Sequence, residues 1–419
     1  MMGPTIDMIW VGKLGSAAIA GVGIAGTAVM LMMAAMMGLA QGTRAIVARF
    51  VGRGDTEGAN HVAMQGFIIS ALYSIFMVSI GIFFSEAILT IIGVEADVVA
   101  EGAAYMRIMF IGATARSFRM VSEGVMQSSG DALTPMKISI LLRIVHVIIC
   151  PFLIFGWLAF PRMGTSGAAM ANVISHGMGL VIALWILFHG GTRIRLTLRN
   201  FGVDFNMIWR IVKIGIPAAV MGMQRGASQL ILMLFMVPFG TTAVAAHTVF
   251  NRVEMLLAMV CMGMGISAGV LAGQNLGAKK PIRAEKTGWL AIGLAEGLMV
   301  ICAGAILVWP EMIIKIFNTE PEFIKTGSVF LRIGAVGFLM MGFGPTFMHV
   351  LSGVGDTFPP MLIAILTTWG VLIPLAVILP RITNLGVYGV RWAIVASLFV
   401  SAVAYITYFK MGKWKLKKV

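Results

Sequence analysis

Gly15-Ser16-Ala17-Ala18-Ile19-Ala20 is answered 225 residues later by Gly240-Thr241-Thr242-Ala243-Val244-Ala245. The same offset carries Gly52 and Ala59 onto Gly277 and Ala284, and Glu86 onto Glu311. It carries Tyr105-Met106-Arg107-Ile108 onto Phe330-Leu331-Arg332-Ile333, and Gly130-Asp131 onto Gly355-Asp356. Further along the offset shrinks: Pro151 meets Pro374, and Gly164 and Gly167 meet Gly386 and Gly389. The chain is therefore one pattern written twice.

Its composition says where that pattern lives. Of 419 residues 59% are hydrophobic and 11% charged, with a mean hydropathy of +0.95. Soluble domains carry about 25% charge. Long uncharged runs such as 68–84 and 361–379 suit helices that cross a bilayer, which need ~20 apolar residues each. Strict two-residue alternation is absent, so helices rather than a barrel are expected to satisfy the backbone there. The spans read as 1–11 (short), 17–43, 61–84, 102–128, 134–160, 164–188, 207–239, 242–272, 284–309, 327–352, 358–379 and 386–409. The expected fold is an all-α integral membrane protein of twelve helices in two six-helix, pseudo-symmetric lobes, with the first helix truncated. The lobes are 1–190 and 208–419, joined by a cytoplasmic linker 191–207. An apolar chain of two similar halves points to a transporter with its site at the repeat interface.

The net charge of +14 is distributed as a membrane protein distributes it. Basic residues concentrate in alternate connectors (Arg44, Arg49, Arg53; Arg193, Arg195, Arg199; Lys279, Lys280, Arg283, Lys286) and in the tail from Lys410 to Lys418. The opposite connectors hold only Lys13, Arg162, Lys315, Lys325 and Arg381. By the positive-inside bias both termini face the cytoplasm. No single folded face gathers the charge as a nucleic-acid groove would. Cys150, Cys261 and Cys302 are scattered within spans, with neither disulfide nor zinc spacing. Gly21-Val22-Gly23-Ile24-Ala25-Gly26 matches a dinucleotide fingerprint in form only, since no strand precedes it; it reads as a close-packing surface. No phosphate-binding Walker loop occurs. The 34 methionines read mainly as flexible packing.

Subtracting 225 from Lys213 and Ile214-Gly215-Ile216-Pro217 of the seventh span places their counterparts before residue 1. The first helix is thus expected to lack its cytoplasmic half.

Asp7 is the sharpest candidate. A carboxylate inside the bilayer costs at least ~2.5–3.5 kcal/mol, so it must be paired, hydrated or protonated. The competing reading is a solvated acid at a helix end. His146 and Cys150 are one helical turn apart, hence on one face. Asn172 lies on the sixth span, where a polar residue either faces a cavity or ties two helices together. Imidazole and thiol suit softer ions than sodium. In the second half Arg225, His247 and Glu254 stand out. His247 and Glu254 are two turns apart on one face, and Arg225 with Glu254 would offset each other's desolvation. In the first half Arg116, Arg119 and Glu123 form a charged group whose Arg119–Glu123 spacing allows a local pair. His176, Glu296 and His349 are isolated, as residues hydrogen-bonded between helices are.

Four stretches resemble the multidrug and toxic compound extrusion (MATE) family. They are Ile6-Asp7-Met8-Ile9-Trp10-Val11-Gly12-Lys13-Leu14-Gly15, then Phe239-Gly240 through Ala246-His247, then Gly273-Gln274-Asn275-Leu276-Gly277-Ala278, and Ser352-Gly353-Val354-Gly355-Asp356-Thr357 with its first-half echo Ser129-Gly130-Asp131. The resemblance implies cation-coupled export, on H+ or Na+, of organic and often cationic compounds by alternating access. It implies Asp7 as the coupling acid, with positions 146 and 150 beside it. The family often carries Asn and Asp at those two positions, and here they are His146 and Cys150. No cofactor or bound metal is expected, and the expected partners are a small organic substrate and the lipid bilayer, for a monomer in a bacterial or archaeal cytoplasmic membrane. The alternative is a lipid-linked oligosaccharide flippase of the same superfamily, for which Arg116, Arg119, Arg143 and Arg225 would supply a basic cavity. A remote alternative is an intramembrane enzyme, for which no convergent catalytic set is evident.

Overall fold

The computed structural model describes residues 2–93, 95–158, 160–199, 201–383 and 385–417. Met1 of the first span and Lys418 of the basic tail lie outside the described residues. Within them the chain is helical and no strand occurs. Among these residues ten helices are long and apolar enough to cross a membrane, and a bent pair makes eleven. Their outward faces carry residues such as Leu72, Phe83, Leu290 and Ile301. In water such a surface would drive aggregation; in lipid it is the solvated side.

The chain forms two compact units, Met1–Val51 with Asp55–Ala219, and Gly52–Gly54 with Val220–Val419. The first contains α1 (Met2–Val11), α2 (Ser16–Arg53, all but its last residues), α3 (Thr56–Ile92), α4 (Ala96–Ile111), α5 (Ala113–Ser128), α6 (Leu133–Phe155) and α7 (Thr165–His189). It also holds the first part of α8 (Phe205–Met236), so the boundary between units falls inside that helix. The cause is close backbone packing. A Cβ on Gly38 of α2 would stand 2.4 Å from the Gly215 carbonyl of α8. The 191–204 connector is tied down as well: Asn60 and Gln65 of α3 bond to Thr197, Gly202 and Asp204.

The second unit contains the rest of α8, then α9 (Thr241–Gly277), α10 (Pro281–Val308), α11 (Pro310–Lys315), α12 (Pro321–Met341), α13 (Phe343–Gly353), α14 (Phe358–Ile365), α15 (Ile373–Ile382) and α16 (Val387–Met411). Its core is aromatic, with Phe250, Phe330 and Phe338 buried together. A second cluster joins Phe347, Phe409 and Trp414, so the tail is packed and not free.

The repeat is visible in the backbone. Gly164 (φ 56, ψ −133) and Gly386 (φ 52, ψ −129) start α7 and α16 in the same glycine-favouring conformation. Gly15 and Gly240 likewise share an extended, positive-φ geometry before α2 and α9. The repeat-related ion pairs both form: Arg107–Glu86 at 2.6 Å and Arg332–Glu311 at 4.0 Å.

Several spans are less regular than hydropathy suggests. The 102–128 span is α4 and α5, bent by 41° at Gly112. The 327–352 span breaks at Gly342, which packs against Glu296 of α10 so closely that a Cβ on it would stand 2.7 Å from a Glu296 carboxylate oxygen. The 358–379 span passes through a π-helical stretch, Leu366–Leu372, just before Pro374. Proline lacks the N–H that an α-helix needs there, and a wider turn accommodates the loss.

Candidate functional site

α1 is short, and it packs on α6 and α7. Trp10 anchors it edge-on against Phe155 at 6.1 Å. That packing buries Asp7, which is 1% exposed. A solvated helix-end acid is therefore not what the fold contains. His146 and Cys150 project from one face of α6, 1% and 0% exposed, and Asn172 comes from α7. Pro151 follows directly; it leaves the Val147 carbonyl without its intrahelical donor and loosens α6 beside the acid.

The four side chains converge. His146 Nε2 is 3.0 Å from Asp7 Oδ1. Asn172 Nδ2 donates to Asp7 Oδ2 at 3.2 Å, and the Cys150 thiol donates to Oδ1 at 3.5 Å. Asn172 Nδ2 also lies 3.4 Å from His146 Nε2. If Nε2 carries the proton toward Asp7, His146 Nδ1 is an acceptor, and that buried atom has no hydrogen-bond partner. Each carboxylate oxygen thus has at least one donor, and the acid shares its enclosure with a second group able to take up a proton. Behind Asn172 lies a cavity of about 10 Å³, bordered also by Met109, Arg116 and His176. That is room for about one water. An open depression of about 490 Å³ at the start of α2, near Glu101 and Arg162, contains none of the four residues.

The charged group in the first unit splits in two. Arg119 pairs with Glu123, which Ser139 of α6 also approaches at 3.5 Å; this ties α5 to α6. Arg116 bonds to His176 Nε2 at 3.1 Å and not to a carboxylate. In the second unit the geometry differs from the spacing argument. Arg225 is exposed on α8, Glu254 is half-buried on α9, and no ion pair within 4.0 Å joins them. His247, 1% exposed, instead bonds through Nδ1 to Arg391 of α16.

Arg391 was not singled out by its sequence context. It is 1% exposed, with its guanidinium carbon 4.0 Å from the Phe250 ring centroid and 4.4 Å from that of Phe330. The repeat held the signal: its counterpart across the Gly164/Gly386 register is Ala169. A charge that stands where the other half has a methyl group is a departure worth noticing.

Two lobes of membrane-crossing helices, the first of which buries an acid among polar side chains, define a multi-pass transporter. The sequence profile of the MatE family matches residues 1–152 and 217–378. The chain belongs to that family, whose members are secondary transporters and not enzymes. It is 22% identical over 418 residues to a Thermotoga maritima protein called "Probable multidrug resistance protein NorM", covering 99% of this chain and 89% of that one. It is 25% identical over 425 residues to the Bacillus subtilis "Probable multidrug resistance protein YoeA", covering 100% and 91%. Among solved structures, a MATE transporter in a bent conformation superposes with a TM-score of 0.91 at 23% identity, over 98% of this chain and 90% of that one. A transporter of the MOP superfamily from Pyrococcus furiosus gives 0.90 at 24%, over 100% and 93%. Family and spans make this chain a membrane transporter with a small-molecule substrate and a lipid surround.

Proposed function

We propose that the chain is a proton-coupled antiporter that exports organic, often cationic, drug-like compounds by alternating access. The observation that carries this reading is the Asp7 carboxylate, enclosed by His146, Asn172 and Cys150 inside a lobe that spans the membrane. A buried carboxylate with a protonatable neighbour can exchange a proton for an organic cation, since either leaves the site neutral. Imidazole and thiol in place of hard oxygen ligands support the proton over sodium. Asp7 is the coupling residue, and His146, Cys150 and Asn172 set its proton exchange. Arg225, His247 and Glu254 are the second lobe's candidate polar contacts for the substrate, and the protein acts as a monomer in the cytoplasmic membrane with both termini inside.

The test is flux of a fluorescent organic cation in proteoliposomes under an imposed pH or sodium gradient, comparing the parent with Asp7→Asn. The pH gradient should drive the parent, and the variant should fall to the empty-vesicle background. A variant that transports like the parent under both gradients ends the assignment. Flux of a lipid-linked head group in place of the cation would favour the flippase alternative.

A further inference from the structure

We propose that Asp7, His146 and Cys150 form a binding site for a soft divalent metal ion of the Zn2+ class. The binding claim stands apart from the antiport reading; only its consequence for transport rests on that reading.

One oxygen, one nitrogen and one sulfur ligand atom from these residues lie within 4.8 Å of one another. Tetrahedral zinc takes sulfur at ~2.3 Å and nitrogen or oxygen at ~2.0–2.2 Å, so neighbouring ligands stand roughly 3.2–3.7 Å apart. The carboxylate–imidazole separation is 3.0 Å and the carboxylate–thiol separation 3.5 Å. Two of the three edges are therefore already near ligand spacing, and the third, imidazole to thiol, lies within 4.8 Å.

Charge argues the same way. A double positive charge in a buried place needs two negative ligands. The Asp7 carboxylate and the Cys150 thiolate supply them, and neutral His146 adds none. The complex is therefore neutral, which a Na+ ion bound by the same set with its thiolate formed would not be. Binding removes the thiol proton, and the proton of Asp7 where that acid is protonated; each leaves to solvent as the metal–ligand bond forms. Asn172 offers a fourth ligand. Its amide now points Nδ2 at the acid, and a flip would present Oδ1 to the metal.

One feature limits affinity. A ligating imidazole normally donates its other N–H to a partner, and loss of that partner costs ~10–100-fold. His146 Nδ1 has none. The site should therefore bind well below the strength of a structural zinc site. Metal and coupling proton share Asp7, so the ion should block transport and low pH should relieve the block.

The experiment titrates the full chain in detergent with Co2+. We expect one ion per chain, a near-ultraviolet thiolate-to-cobalt charge-transfer band, displacement by Zn2+, and release of about one proton or more per ion. Cys150→Ser should abolish the band, and His146→Gln should weaken binding by at least about 10-fold. Cys261→Ser and Cys302→Ser should keep the band and serve as folding-matched controls. Binding without the band, or a band that survives Cys150→Ser, overturns the site. A cobalt signature with unimpaired Asp7→Asn transport would refute the coupling role and leave the metal site standing. Loss of Asp7→Asn transport with no cobalt signature would do the reverse.

Discussion

Arg391→Met should leave stability within about 2 kcal/mol of the parent, although it removes a fully buried charge. Among the described residues no carboxylate lies within 4.0 Å of Arg391, Glu254 attracts it only from beyond that distance, and its Nε and Nη1 have no hydrogen-bond partner. Two unmet buried donors cost ~1–3 kcal/mol each. Against them stand one bond to His247, worth ~1.5–3 kcal/mol, and two ring contacts at ~0.5–2 kcal/mol each. Methionine keeps the stem's bulk and regains ~0.3–1.5 kcal/mol per sulfur–ring contact. The terms nearly cancel. Breaking a buried ion pair would instead cost ~3–5 kcal/mol. Arg391→Lys should be less stable than Arg391→Met, because it keeps the buried charge and loses the planar stacking on Phe250 and Phe330. Equilibrium unfolding in mixed micelles, or thermal melting at one detergent concentration, ranks the three proteins. A loss above about 3 kcal/mol for Met, or Lys outranking Met, would mean that Arg391 has an anionic partner and that the unmet donors are misread.

Three further outcomes follow from the packing and caps. Gly353→Val should destabilise the second unit by roughly 1–3 kcal/mol or more, since a Cβ there would sit 2.5 Å from the Gly269 backbone; unchanged melting would refute this contact. Gly342→Val should likewise cost roughly 1–3 kcal/mol, since a Cβ there would sit 2.7 Å from a Glu296 carboxylate oxygen and 3.2 Å from the Glu296 backbone nitrogen; unchanged melting would show that the break has room for a side chain. At the start of α8, the Met207 N–H and then His61 hold the Asp204 carboxyl below the usual range. A depressed acid contributes stability above its unfolded pKa and loses it as pH falls through the folded one. Asp204→Asn should therefore lower the melting temperature at neutral pH, with the gap to the parent closing below about pH 4. A gap independent of pH would sink the ionic part of that argument.

Periodicity and repetition made much of this protein readable. The spacing of His146 and Cys150 fixed one helical face, and that face meets Asp7 and Asn172. The repeat matched Glu86 and Arg107 with Glu311 and Arg332, and Gly164 with Gly386; the structure adds that both acid–arginine sets pair and that the two glycines share one conformation. The same reasoning put His247 with Glu254 and joined Glu254 to Arg225. It did so because spacing along one helix reports a face and not the helix that covers it. The residue that bonds His247 comes from α16, 144 positions away. Breaks at Gly112 and Gly342 were hidden for a related reason. Hydropathy measures how apolar a span is, whereas its straightness depends on single close approaches such as that of Gly342 to Glu296.

The repeat also shows why the polar site belongs to one lobe. Carried across the drifting register, Asp7, His146, Cys150 and Asn172 fall on Leu232, Trp369, Ile373 and Ile394. All four are apolar, and Leu232 and Ile394 pack with Met236, Leu372, Ala376 and Val390 in a hydrophobic cluster. The second lobe fills with side chains the place where the first holds an acid. An intramembrane carboxylate costs at least ~2.5–3.5 kcal/mol, and a lobe that packs gives that cost nothing to sustain it. Its own buried charge, Arg391, has the opposite sign and stands where the first lobe has Ala169. The two units share one backbone pattern. Their polar side chains differ at the positions where a buried charge is most expensive, and those are the positions where a role beyond packing is the economical explanation.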